Sequence, residues 1–260
     1  MWEHLSHSSA LSTSSNMEGH MINFVTEESF WELFPEATIG VLTVDGIKPT
    51  DQIDPELVAR AQKELKRANI VARKWVPNNP ISKNEVPAVW REAYRKFKTK
   101  HGARCSIENL LKRVLKDNPV GSINPAVDVS NAVSLTYAFP MGVENIDAFV
   151  GTFRLALSEG GDDYLAVGED TPDPTLAGEL AYLDDAGAIC RCWNWRDCQR
   201  SAATDNTPHC AFIMECIEPH RVNDLHAAID QLEVFTSEIL GAHTTNKDYL
   251  TIDHRTTPLI

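Results

Sequence analysis

Read for hydrophobic and polar spacing, the chain divides into a helix-rich first half and a strand-rich second half. A short apolar run, Thr38 to Val44, follows Phe30, Trp31 and Phe34 and predicts a strand. Asp54-Pro55 then supplies an N-cap and a first-turn proline, with Leu57, Val58, Ala61 and Leu65 at helical spacing. Residues 76–87 carry Pro77, Pro80 and Pro87 and predict a linker rather than a helix. Trp90, Ala93, Tyr94 and Phe97 form the apolar stripe of a second helix, with Arg91, Arg95 and Lys98 on its other face. A third helix is expected from a Ser106 cap, with Leu110, Leu111, Val114 and Leu115 inward, and Pro125 opens a fourth.

After Pro140 the texture changes. Strands are expected over 148–157, 163–167, 179–183, 188–195 and 209–217, with Asp184-Asp185-Ala186-Gly187 as a hairpin turn. A last amphipathic helix runs from an Asn223 cap through Leu225, Ala228, Ile229, Leu232, Phe235 and Ile239 to Gly241. Residues 242–260 are polar and are expected to fray or drape over the surface. The fold class is α+β.

Composition refines this in three places. The first twenty residues are Ser- and His-rich and end in Gly19-His20 before Met21, the pattern of a disordered leader left by cloning. No apolar run approaches the roughly 20 residues of a membrane helix. Six cysteines without a secretion signal predict reduced thiols and a cytoplasmic location. Their spacing matches no zinc pattern, so neither metal nor cofactor is expected; Cys190 and Cys192, in a strand, would share one face.

The net charge of −13 argues against a general nucleic-acid binder, yet the charges are segregated. Residues 60–116 hold 16 Lys or Arg against four acids, and residues 141–190 hold eleven acids and one base. Such asymmetry can orient a polyanion. Two solvated helices with basic outer faces would give the same pattern.

Candidate chemistry concentrates in three stretches. Residues 127–147 carry Asp128, Ser130 and Asn131 on a helix that stops at Phe139-Pro140-Met141-Gly142. A helical Asn beside such a break can offer a ligand both a donor and an acceptor, and Asp128 lies three residues earlier on the same face. Equally, either side chain can satisfy backbone groups at the turn. Glu215, in Phe212-Ile213-Met214-Glu215-Cys216, is the one acid inside a strand that reads as buried, and a buried carboxylate needs a partner or a raised pKa. Its alternative is an edge strand with Glu215 facing water. Finally, Trp193 and Trp195 alternate with Asn194 and Arg196, so a strand there would have an aromatic and a polar face. That aromatic face could stack a ring and Arg196 hold an anion; alternatively the Trp residues are core and Arg196 pairs with Asp197 or Glu179. No phosphate loop, nucleophile elbow or His-Glu-x-x-His helix is present.

These stretches, with Gly178-Glu179 and Thr207 to Glu218, resemble the tRNA-binding and editing domain of the phenylalanyl-tRNA synthetase β subunit, the B3/4 domain. They are more similar still to free-standing proteins that carry only that domain. The resemblance implies a mixed or antiparallel sheet with flanking helices around a cleft. It implies an N-terminal strand, helix and linker over 21–89, the B3/4-like domain over 90–241 and a tail over 242–260. Ser130 and Asn131 stand at the family's Thr-Asn pair, and Pro140 and Met141 match too, while Gly142 replaces the family's His. Ser130 and Asn131 would then be the catalytic positions, orienting an aminoacyl-adenosine end for attack by a positioned water. Glu215 would read the side chain, with Asp128, Trp193, Arg196, Glu179 and Thr207 completing the substrate site. Arg91, Arg95, Lys96, Lys98, Lys100 and Arg104 would meet a tRNA backbone. The implied activity is trans-editing of a mischarged tRNA. The alternative is a non-catalytic module binding tRNA, an amino acid or a nucleoside.

Overall fold

The computed structural model describes residues 22–259, so the leader expected over 1–20 lies outside the described residues. In chain order the described elements begin with β1 (Asn23–Thr26), α1 (Glu28–Leu33), β2 (Thr38–Asp45), α2 (Pro55–Val71), α3 (Glu85–Ala93), α4 (Ser106–Leu115) and α5 (Pro125–Tyr137). They continue with β3 (Met141–Asn145), β4 (Phe153–Leu157), β5 (Leu180–Asp184), β6 (Gly187–Arg191), β7 (Arg196–Asp197), β8 (Cys210–Cys216), α6 (Val222–Leu240), β9 (His243–Leu250) and β10 (Thr256–Pro258).

The strands form two sheets. One is six-stranded and mixed, in the order β10-β1-β4-β5-β6-β7, and the other is four-stranded and antiparallel, in the order β3-β8-β2-β9. This is the α+β architecture expected. The inner faces of the two sheets share one core, in which Ile39, Val41, Ala211 and Ile213 meet Phe24, Phe153, Leu155, Leu180 and Ile189. The outer face of the four-stranded sheet carries Leu42, Val44, Phe212 and Met214 against Leu225, Ile229 and Leu232 of α6. Gly40 lets that helix come close, because a Cβ there would lie 2.8 Å from Ile229.

Local signals with a direct backbone cause held. Asp54 accepts from Glu56 N, Pro55 and Pro125 open their helices, and Gly241 ends α6 in a left-handed conformation. The Asp184–Gly187 turn joins β5 to β6.

Several expectations are corrected. The described part of the 242–260 tail does not fray: β9 pairs with β2 along its length, and β10 pairs with β1. Helix α3 starts inside the expected linker, because Pro87 sits in its first turn where a missing N–H breaks no bond, and it ends before Phe97. Helix α6 starts from Arg221 rather than an Asn223 cap. Residues 163–167 form a loop with a single bridge, Ala166 to Cys198, and β3 was not anticipated. The 188–195 strand stops at Arg191, because Cys192 (φ 46°) and Trp193 (φ 65°) turn the chain left-handed. Cys190 and Cys192 therefore do not alternate along one strand face, and neither do Trp193 and Trp195. All six cysteines are buried free thiols, and no described helix is long and apolar enough to cross a membrane.

Candidate functional site

Strand parity builds the site. β3 pairs with β8 so that Gly142 faces Ile213 and Glu144 faces Ala211. Residues opposite one another, or two apart on one strand, share a face, so Gly142, Glu144, Ala211, Ile213 and Glu215 all point toward the six-stranded sheet. Between the sheets they enclose a cavity of about 50 Å³, room for about three or four waters. Its other walls come from Phe153, Tyr182, Ile189, Cys190, Asn194, Asp197 and Ser106.

Its polar lining is only partly satisfied. Glu215, 2% exposed, is joined across the sheets to the Tyr182 hydroxyl at 2.6 Å. Tyr182 is itself held by stacking on Phe153, with ring centroids 5.4 Å apart. The Tyr94 hydroxyl donates to Asn194 Oδ1 at 2.8 Å, which turns the Asn194 amide nitrogen away from Tyr94. Four buried atoms at this cavity have no protein partner: Glu215 Oε2, Glu144 Oε2, Asn194 Nδ2 and Ser106 Oγ. Each such atom costs on the order of 1–3 kcal/mol when left unpaired.

Burial pushes the Glu215 carboxyl from 4.5 up to about 8, against the downward pull of the Tyr182 hydroxyl. Burial and the neighbouring Asp197 raise Glu144 well above the carboxylate range, and burial raises half-buried Asp197 too. The Cys190 thiol is raised for the same reason. No Lys, Arg or His is among the described lining residues to offset these acids. At neutral pH Glu215 therefore holds its proton, and the cavity's two other carboxyls are raised in the same direction.

The other residues singled out from the sequence lie elsewhere. Asp128 is buried and accepts from Ser122 Oγ (2.5 Å) and Ile123 N (2.8 Å), fastening the loop before α5 rather than the Pro140 turn. Ser130 Oγ donates to Val127 O at 2.9 Å. Asn131 is half-buried, and its side chain forms no hydrogen bond among the described residues. Thr207 Oγ1 accepts from Thr204 N at 2.9 Å in a local turn.

Glu179 is fully buried in a two-pronged pair with Arg191 (2.9 and 2.6 Å) and also accepts from Cys192 N at 2.8 Å. Trp193 is buried among Phe30, Phe34 and Trp90 as core. Arg196 pairs with Glu169 at 3.0 Å, not with Asp197 or Glu179. None of these lines the cavity. Conversely, Glu144, Asp197 and Ser106 were missed. Ser106 was read as a cap, but it is the first residue of α4 and makes no capping bond.

The basic stretch is partly committed to internal bonds. Arg91 binds Glu108 at 2.5 Å, Arg95 binds Glu92 at 2.5 Å, and Lys100 binds Asp173. Lys96 Nζ donates to Leu33 O at 2.9 Å, and Arg104 to Ala103 O at 2.6 Å. Lys98 is exposed and has no ion pair among the described residues. This segment runs beside the cavity wall: Lys98 N donates to Gly178 O at 2.9 Å, and Ser106 N to Asn194 O at 3.0 Å. At the surface, Glu85, Glu218 and His220 bring ligand atoms within 4.8 Å of one another, but Glu218 already faces Arg221 at 3.6 Å.

Comparison with known proteins returned no curated relative. The B3/4 domain family model matches residues 89–232, from the last turns of α3 to the middle of α6, and so spans the whole β3–β8 wall of the cavity. With more than half of its length matched, the chain belongs to the B3/4 domain family.

Proposed function

We propose that the protein recognises the aminoacylated 3′ end of a tRNA and hydrolyses the ester of a mischarged amino acid, acting in trans in the cytoplasm. The amino-acid side chain enters the cavity between the sheets, where Glu215 reads its polar tip. Asn131, whose amide is uncommitted, orients the adenosine end, and a positioned water attacks the ester. The exposed cations Arg95, Lys96, Lys98 and Arg104 face the tRNA backbone.

The observation that carries this reading is the group of unpartnered buried polar atoms around one small cavity, Glu215 Oε2 and Asn194 Nδ2 among them. A polar ligand tip would satisfy them. A site built to bond such a tip also rejects an analogue lacking it strongly.

A second reading, binding without turnover, is favoured by Gly142. A Cβ there would meet only Glu144 Oε1, at 3.8 Å, so the position of the family's His is an open space facing the cavity. Ser130, its hydroxyl bound to Val127 O, also argues for this reading.

Deacylation of a panel of correctly and wrongly charged tRNAs by wild type, Asn131→Ala and Glu215→Ala tests both, alongside filter binding across a salt series. Editing predicts selective hydrolysis of one mischarged species, lost in Asn131→Ala and with altered selectivity in Glu215→Ala. Salt-dependent binding of charged tRNA without turnover leaves the second reading. Neither turnover nor binding removes both.

A further inference from the structure

The cavity's acid content exceeds what one side-chain reader requires. Three carboxyls, Glu144 on β3, Asp197 on β7 and Glu215 on β8, line one small space, together with Cys190 on β6 and the Tyr182 hydroxyl on β5. None of the described lining residues is basic. The three carboxyls are not gathered into a group whose ligand atoms lie within 4.8 Å of one another, so a single bare metal ion does not explain them.

The unpartnered atoms are unbalanced as well. With the carboxyls ionised, two of these atoms can only accept a hydrogen bond (Glu144 Oε2 and Glu215 Oε2), the Ser106 hydroxyl can accept or donate, and the amide nitrogen Asn194 Nδ2 can only donate. A hydroxyl tip brings one donor, whereas a primary ammonium brings three donors and no acceptor. Phe153, Ile189 and Ile213 leave an apolar wall for one or two methylenes. The volume of about 50 Å³ admits only a short group.

We infer that this cavity takes a primary ammonium carried on a short aliphatic stem, with Glu144 and Asp197 completing the acidic cage opposite Glu215. The inference rests on the aminoacyl reading above and names its substrate class: an aminoacyl ester with a short cationic side chain or, from the other source of the same chemistry, its α-ammonium. Entry of the cation favours the ionised carboxylates that burial disfavours, so binding expels the Glu215 proton and tightens as pH rises toward about 8, with Glu144 and Asp197 drawn in the same direction. The loaded site is a compensated ion cluster.

Four non-hydrolysable adenosine 3′-amides separate the cases: 2,4-diaminobutyryl, 4-aminobutyryl, homoseryl and 4-hydroxybutyryl. Affinities are measured by calorimetry in two buffers of different ionisation enthalpy. A side-chain ammonium predicts that the diaminobutyryl and 4-aminobutyryl probes bind at least tenfold tighter than the two hydroxyl probes of similar length, with protons released. An α-ammonium predicts tight binding of diaminobutyryl and homoseryl and weak binding of both probes lacking that amine.

Glu144→Gln and Asp197→Asn, checked for folding by their melting temperatures, should lose the tenfold preference while keeping affinity for 4-hydroxybutyryl. Binding of all four probes with equal affinity overturns the ammonium inference and leaves the aminoacyl reading standing. Binding of none removes that reading, and the inference with it.

Discussion

Replacing Glu215 with Gln tests the central physical claim, that this carboxyl is neutral at physiological pH. The group titrates at 4.5 when solvated and at about 8 in the folded chain. Below 4.5 both states are protonated, and Glu215 adds no pH dependence. Between these values the unfolded chain releases the proton and the folded one keeps it, so stability falls as pH rises. Above about 8 both states are ionised and the loss is complete. At about 1.4 kcal/mol per unit, the shift corresponds to roughly 5 kcal/mol lost between mildly acidic and mildly alkaline pH. Gln matches the protonated acid in shape and cannot ionise. Wild type and Glu215→Gln should therefore melt alike near pH 4.5 and diverge steadily above it, the variant being more stable. At about 2–4 °C per kcal/mol for a domain of this size, the gap near pH 8.5 is on the order of 10 °C. Glu144 and Asp197 shift in the same direction in both proteins, so the difference between the two curves isolates Glu215. Parallel melting curves from pH 4.5 to 8.5 would refute the reasoning, because Glu215 would then be ionised in the fold at no cost.

Glu179→Ala leaves the fully buried Arg191 guanidinium with only the partly exposed Asp173 carboxylate, at 2.8 Å, and should cost about 3 kcal/mol, seen as a lowered urea midpoint; a change within error would show the Glu179 pair to be dispensable. Deleting residues 243–259 removes the strand that covers one edge of β2 and should abolish the cooperative melt followed by circular dichroism; an intact transition would show β9 to be an accessory. Gly142→His places an imidazole in the open space beside Glu144, and under the editing reading deacylation should rise at least tenfold; an unchanged rate would show that Gly142 is not what limits hydrolysis.

The fold was legible wherever one residue dictates local backbone. Prolines at helix starts, the Gly241 terminus and the Asp184–Gly187 turn act through their own dihedrals and donors, so no distant partner is needed to read them. The elements missed lack such signals. Strand β9 reads His-Thr-Thr-Asn-Lys-Asp-Tyr-Leu, is mostly half-exposed, and is held by backbone pairing to β2 and by contacts such as Thr245 Oγ1 to Thr43 Oγ1 at 2.7 Å. Clean apolar alternation comes from a strand with one buried face, and this edge strand, partly exposed on both faces, has none to show. Residues 163–167 err in the opposite direction: Tyr164 and Ala166 are buried against Ala181, Leu183 and Ala188 as a loop laid on the outer face of the six-stranded sheet, which gives strand-like spacing without a ladder.

The site follows a different logic. Glu215 was readable because its own strand is apolar on both sides, so an acid there has no route to water. Glu144 sits in Met-Gly-Val-Glu-Asn, which has no such context, and is buried only because β3 lies against β8, where its partner is the distant Ala211. Asp197 reaches the same cavity through a two-residue strand after the left-handed turn at Cys192 and Trp193. These three carboxyls meet through pairing parity, not through a motif. Slipping β8 by one residue against its neighbours would exchange Glu215 for Met214 on the inner face and send the acid into the apolar layer under α6. The apolar residues of β8 therefore do more than fill the core. Phe212 and Met214, locked against Leu225 and Ile229, fix the register that keeps Glu215 opposite Tyr182, and a substitution that loosened that outer layer would disturb ligand recognition without touching a cavity residue.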